Sequence, residues 1–118
     1  LTAGGGNSAY GALFEYDPSG GGTYSVLHHY NSSNGAIPRG SLIEFGGKFY
    51  GMTQFGGNLD QGVIFEYDPS GGGTYNILHH FDLVNGAYPT GSLIEYGGKF
   101  YGMTQSSTGT GDGGVIFE

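Results

Sequence analysis

Residues 11–54 and 62–105 are one stretch of sequence written twice. At an offset of 51 residues, 33 of the 44 aligned positions are identical. Most differences are mild: Val26 corresponds to Ile77, Tyr30 to Phe81 and Phe45 to Tyr96. Gly5 to Glu15 also matches Gly56 to Glu66, and Gly114 to Glu118 starts a third copy one residue late. The 118-residue chain is therefore two periods and a short remainder. Such a period constrains the fold more than any local signal, because each unit must bury its apolar face against the next. Leu1 falls at the phase of Met52, and Glu118 precedes the Tyr-Asp-Pro seen twice earlier. Domain boundaries seldom fall inside a motif. With no initiator Met or signal peptide, the expectation is a window cut from a longer array. The expected division is a partial first repeat at 1–47, a complete second repeat at 48–98 and the start of a third at 99–118.

Each unit contains four strand-like blocks: Lys48 to Gln54 (with its twin Lys99 to Gln105), Gly62 to Tyr67, Thr74 to Phe81 and Ser92 to Tyr96. Aromatic and β-branched residues concentrate in them, as a pleated surface favours. Asp68-Pro69-Ser70-Gly71, like Asp17 to Gly20, suits a tight turn in which Pro fixes φ and Asp bonds forward to the backbone. Gly46-Gly47 and Gly97-Gly98 sit between apolar runs, as in two-residue hairpins of primed type. Asn34-Gly35 and Asn85-Gly86, followed by Pro38 and Pro89, mark a longer connection. No helical period appears. Val63, Phe65 and Tyr67 alternate with Ile64, and Tyr75, Ile77 and Phe81 with Leu78, so both faces of the sheet are apolar.

A four-stranded sheet of this size, covered on both faces, predicts an all-β fold of β-propeller-like blades, about 2.3 repeats in this chain. Within a blade the expected order runs KFYGMTQ innermost, GVIFEYDP second, TYNILHHF third and SLIEY outermost. Gly51 and Gly102 are expected to permit close backbone approach at the crowded inner strand. A β-solenoid and a flexible Gly-rich spacer are the rival architectures. Composition removes other classes. The 27 Gly show no G-X-Y period, so the chain is not collagen. No run of about 18 apolar residues exists to span a membrane. Without Cys there is no disulfide or thiolate metal site. Three basic residues against ten acidic ones, a net charge of −7, argue against nucleic acid.

The run Gly91-Ser92-Leu93-Ile94, Gly97-Gly98, Tyr101-Gly102-Met103-Thr104, with Gly62-Val63-Ile64-Phe65 and Leu78-His79, resembles the tandem "GloVer" (Gloeo/Verruco) repeat of secreted bacterial proteins. The resemblance covers essentially the whole chain. It implies an extracellular or cell-surface, repeat-built protein of propeller-like blades and brings no catalytic residue with it.

Candidate chemistry is thin. His28-His29 and His79-His80 are the only imidazoles. Neighbours in a strand point to opposite faces, so a pair cannot chelate one ion, and packing between blades is expected instead. Glu15, Glu66, Glu44 and Glu95 recur at fixed phase, and one of them is expected to pair with Lys48 or Lys99 across the hairpin. Asp60 and Asp112 sit one to a Gly-rich loop, too few for Ca²⁺. The triple glycines at 20–22 and 71–73 do not fit a phosphate loop. Tyr50, Tyr101, Phe49 and Phe100 are expected in the core between blades. Phe55 and Tyr10, in loops, with Asn58 nearby, are the candidates for stacking on a sugar. Asn31-Ser32-Ser33 is a glycosylation sequon, and Ser106 to Thr110 a polar loop that could carry O-linked sugar. No metal and no cofactor is expected.

Almost every polar strand residue occurs twice at the same phase, whereas an enzyme needs an unrepeated constellation. The expected function is thus non-enzymatic: an extracellular structural or adhesive module whose blades are completed by neighbouring repeats or subunits, as a ring or a head-to-tail filament. Its partners would be identical or adjacent repeats, with no membrane insertion. The alternatives are a lectin-like propeller that binds glycans, and a fragment of a larger propeller enzyme.

Overall fold

A computed structural model describes residues 1–108 and 113–118. The fold is all-β. The strands are β1 (Ala12–Asp17), β2 (Thr23–His29), β3 (Ala36–Pro38), β4 (Ile43–Phe45), β5 (Lys48–Phe55), β6 (Val63–Asp68), β7 (Thr74–His80), β8 (Ala87–Tyr96), β9 (Lys99–Ser106) and β10 (Ile116–Phe117). They form three antiparallel sheets: β1–β2, then β3 and β4 both alongside β5 followed by β6 and β7, then β8–β9–β10. Each phase of the repeat makes the same strand in successive sheets. Thus β1, β6 and β10 correspond, as do β5 and β9, while β8 joins in one strand what β3 and β4 make in two.

The turns follow the local signals. Phe45 pairs with Lys48 across Gly46-Gly47, whose φ angles of 62° and 80° are the positive pair a primed two-residue turn requires. Asp68 Oδ1 accepts the Ser70 N–H at 2.9 Å and its hydroxyl at 2.6 Å, and Asp17 Oδ1 accepts the Ser19 N–H at 2.8 Å. Both segments continue into a short 3₁₀ turn, Ser19–Gly21 and Ser70–Gly72.

The strand order differs from the expectation. KFYGMTQ is internal to its sheet, with β3 and β4 on one side and β6 on the other. SLIEF lies at one edge and TYNILHH at the opposite one. The reason is the turn: two glycines cannot carry the chain to another sheet, so SLIEF pairs with the strand that follows it.

The middle sheet is covered on both faces. Toward β1–β2, Leu13, Tyr30, Phe65 and Tyr67 form one buried cluster, joined by Leu27, Leu42, Phe49 and Tyr75. Toward β8–β10, Tyr50, Met52 and Leu93 form a second, joined by Ile64, Phe100 and Phe117. One grouping of residues by face fails. Phe65 pairs with Ile77 and Ile64 with His79, leaving Leu78 as an extra residue in β7. This bulge re-aims the strand. Tyr75 packs toward β1–β2, on His28 and Tyr30, whereas Phe81 packs toward β10, on Phe117. Leu27 plays the same part in β2.

Gly51 and Gly102 do mark close approaches, but to rings rather than to backbone. A Cβ on Gly51 would lie 2.6 Å from Phe65 Cζ and 3.0 Å from Leu42 Cδ2. A Cβ on Gly102 would lie 2.5 Å from Phe117 Cζ. Each glycine is the register partner of that Phe, which folds its ring over the bare backbone.

Candidate functional site

Specific polar contacts join one sheet to the next. Along the β3–β5 side, residues meet their own counterparts one repeat later. The Ser41 N–H donates to Ser92 Oγ at 2.7 Å. Gln54 Nε2 donates to Gln105 Oε1 at 3.3 Å. A Cβ on Gly40 would overlap the Gly91 carbonyl. All three pairs are 51 residues apart.

On the β2 and β7 side the contact is between unlike residues. The His28 ring stacks on Tyr75 with centroids 3.7 Å apart and planes within 6°. Tyr30 meets Tyr75 edge-on at 5.8 Å, and Phe65 stacks behind it at 5.2 Å. The Tyr75 hydroxyl donates to the Asn34 carbonyl at 2.8 Å. Burial pushes the Tyr30 and Tyr75 phenols far up. Burial also holds the His28 imidazole below its ordinary value, with the Asn34 side chain acting in the opposite sense.

One ion-pair network lies across β5 and β6. Glu66 accepts from Lys48 Nζ at 3.0 Å, from the Tyr50 hydroxyl at 3.0 Å and from Asn76 Nδ2 at 3.4 Å. The Lys48 ammonium foremost, helped by the Tyr50 and Asn76 donors, holds the Glu66 carboxyl below the usual range despite the burial that opposes it. Lys48 also stands 3.6 Å from Asp68. The pattern recurs as Lys99 on Glu118. The lysines thus pair with the strand beyond their own hairpin. Glu44 and Glu95 instead accept the Gly47 and Gly98 N–H groups that close those hairpins, at 2.8 and 2.7 Å.

The histidine pairs diverge. His28 faces the neighbouring sheet, while His29 Nδ1 accepts the Asn7 N–H at 3.3 Å. His80 Nδ1 accepts the Asn58 N–H at 3.1 Å in the same way. His29 and His80 therefore pin the Gly-Gly-Asn loops that follow the β5-type strands. Among the described residues no group of three or more His, Asp or Glu side chains converges as a metal would require.

Of the sugar-stacking candidates, the structure brings Tyr10 and Asn58 together. They line one open groove of about 670 Å³ with Ser32, Ser33, Leu59 and Asp60. Tyr10 is 40% exposed. The groove is held in shape by the Gly57 N–H on the Ser32 carbonyl at 2.9 Å and the Gly56 N–H on Asp60 Oδ1 at 2.7 Å. Phe55 is not part of it: half-buried at the end of β5, its ring packs on Tyr88 at 5.2 Å. Asn31 is exposed in a tight turn, its Oδ1 accepting the Ser33 hydroxyl at 2.7 Å. Asp112 and the end of the Ser106 to Thr110 loop lie outside the described residues. The sequence pointed to neither Ser32 and Ser33 as groove walls nor His28 as the seat of Tyr75. Both depend on which loops and faces the stacking brings together.

A sequence profile of the Gloeobacter/Verrucomicrobia repeat matches residues 1–118. The chain belongs to this repeat family. No curated protein and no solved structure matches it. In this member of the Gloeobacter/Verrucomicrobia repeat family, a serine and a glutamine bond to their own copies 51 residues on. No helix among the described residues is long and apolar enough to cross a membrane.

Proposed function

We propose that the chain is an extracellular structural or adhesive module, built of propeller-like blades that assemble by stacking one repeat on the next. The observation that carries this reading is the set of contacts 51 residues apart, Ser41 on Ser92 and Gln54 on Gln105. A unit that bonds to its own copy has a front and a back that are complementary. Such a contact between separate chains is heterologous and continues into a ring or a filament. In the blade so formed, the SLIEF strand is innermost, because Gly40 and Gly91 touch there. The proposed repeat boundaries, 48–98 for one full unit, follow the same phase. The role needs no catalysis. Sedimentation velocity of the purified chain over a wide concentration range tests it. Mass that rises with concentration supports the reading, and a single monomer mass throughout with a cooperative melt sinks it.

The Tyr10 and Asn58 groove favours a second reading, glycan binding. An exposed ring beside amide and carboxylate oxygens suits a sugar face. Glycan-array signal that disappears in Tyr10→Ala would support it, and a blank array would remove it.

A further inference from the structure

The two copies differ unevenly. The turns at one end of the sheets are the same in both: Asp17 to Gly22 repeats as Asp68 to Gly73, and Gly46-Gly47 as Gly97-Gly98. At the opposite end, Ser8-Ala9-Tyr10 becomes Leu59-Asp60-Gln61, Asn31-Ser32-Ser33 becomes Asp82-Leu83-Val84, and Ile37 and Arg39 become Tyr88 and Thr90. Within residues 11–54, every exchange between unlike side chains except Ser25 for Asn76 falls in the last two of these segments. The rest swap like for like, as Val26 for Ile77. The backbone at this end is the same in both repeats. The Ile37 N–H donates to the Tyr10 carbonyl and the Gly57 N–H to the Ser32 carbonyl, each at 2.9 Å. One repeat on, the Tyr88 N–H donates to the Gln61 carbonyl at 2.9 Å and the Thr108 N–H to the Leu83 carbonyl at 2.8 Å. One frame thus presents two sets of side chains.

The same end holds the strained backbone. Among the described residues, the non-glycine residues with positive φ are Ala9, Ile37, Asp60, Leu83 and Tyr88, at 53° to 67°. All of them lie in the exchanged segments, and a β-branched residue such as Ile37 is an outlier there. Strained residues of this kind persist where the surrounding structure over-determines them, and they gather at binding sites. Rapid change of side chains on a fixed, strained frame is what a recognition surface shows.

We infer that the Tyr10 groove takes a neutral pyranose sugar and that Tyr10, Ser32 and Ser33 set its specificity, so that successive repeats present different sites. The walls come from residues 10, 32–33 and 57–60, so the groove lies wholly between two consecutive repeats. The exposed Tyr10 ring offers a flat face to the C–H side of a sugar, and the Asn58 amide and Asp60 carboxylate stand ready for its hydroxyls. The Ser33 hydroxyl donates to Asn31 Oδ1 at 2.7 Å, which leaves its oxygen to accept. No Lys, Arg or His is among the described residues of the wall. In a chain of net charge −7, an acidic glycan would meet a carboxylate there and no cation. One repeat on, the corresponding residues are Gln61, Leu83 and Val84, with neither ring nor hydroxyl, and cannot make the same contacts. This rests on the glycan-binding reading above and names its sugar class and the residues that select it.

The test is an array of neutral and acidic oligosaccharides probed with the 118-residue chain, with Tyr10→Phe, and with the triple variant Tyr10→Gln, Ser32→Leu, Ser33→Val. The triple variant writes the next repeat's residues into this groove. The same backbone bonds carry Gln61 and Leu83 one repeat on, so it should keep the parent's fold and sedimentation behaviour, which circular dichroism and sedimentation velocity check. The parent chain and Tyr10→Phe should hold the same neutral glycans. The triple variant should bind them on the order of tenfold or more weakly in titrations of the glycans found. Tyr10→Gln alone changes one exposed side chain and should already weaken binding, whatever the fate of the triple variant. Preference of the parent chain for acidic glycans, or parental binding by the Tyr10→Gln and triple variants, overturns the inference while leaving glycan binding standing. A blank array overturns both.

Discussion

Gly51 and Phe65 face each other in register across β5 and β6, and the ring of one occupies the space a side chain on the other would take. The same pair recurs as Gly102 and Phe117. Gly51 has no positive φ, so its constraint is steric alone. Gly51→Ala should cost about 1–3 kcal/mol by overpacking. The cost should shrink in a Phe65→Leu background, with a coupling of roughly 0.5 kcal/mol or more in a double-mutant cycle by urea unfolding.

Glu66 should make the fold acid-sensitive. Its carboxyl is held below the ordinary glutamate value, so in the acid range the unfolded chain binds the proton first. The stabilisation is full above about pH 4.3 and is lost as pH falls through the native value. Glu66→Gln should lower stability near neutral pH by about 1 kcal/mol, since Lys48 is partly exposed. It should also flatten the acid limb of the stability profile, as thermal melts across pH would record.

His28 should act in a higher window. Burial against Tyr75 depresses its pKa, so its neutral form is the native one. Stability is full above about pH 6.5 and declines as pH falls from there through the native value. The imidazole resonances should titrate below those of an ordinary histidine. His28→Phe, which keeps a flat ring on Tyr75, should remove that part of the decline.

Asp68 should matter to its turn through two bonds to Ser70. Asp68→Ala should lower the unfolding midpoint, whereas Asp68→Asn keeps an acceptor oxygen and should lower it less. Chemical denaturation compares the two.

The parts of this fold that could be read from sequence are those set by neighbours in the chain. Gly46-Gly47 specifies a hairpin, Asp68-Pro69 a turn, and the doubled text a repeat. The two-sided apolar pattern of Val63 to Tyr67 announces a sheet covered on both faces. What could not be read depends on partners distant in sequence. Alternation says which residues share a face but not that Leu78 bulges, and the bulge is what sends Tyr75 and Phe81 to opposite sides. Nor does it say which edge of a sheet SLIEF takes, although the two-residue turn, weighed more heavily, points to β5. Phe55 and Tyr10, with Asn58 nearby, stand out in the sequence as loop residues. The meeting of Tyr10 and Asn58 in one groove, and the parting of Phe55 from them, follows from where the Gly-Gly-Asn loop is pinned by His80.

The ladder of Ser41 on Ser92 and Gln54 on Gln105 has a bearing on how such a sequence changes over generations. Because each contact joins a residue to its own duplicate, gain or loss of whole 51-residue units by unequal recombination leaves every junction as it was. A point substitution behaves in the opposite way: replacing the glutamine removes a side chain that can donate on one side and accept on the other, whereas replacing the serine removes only the accepting hydroxyl, since its donor is the backbone N–H.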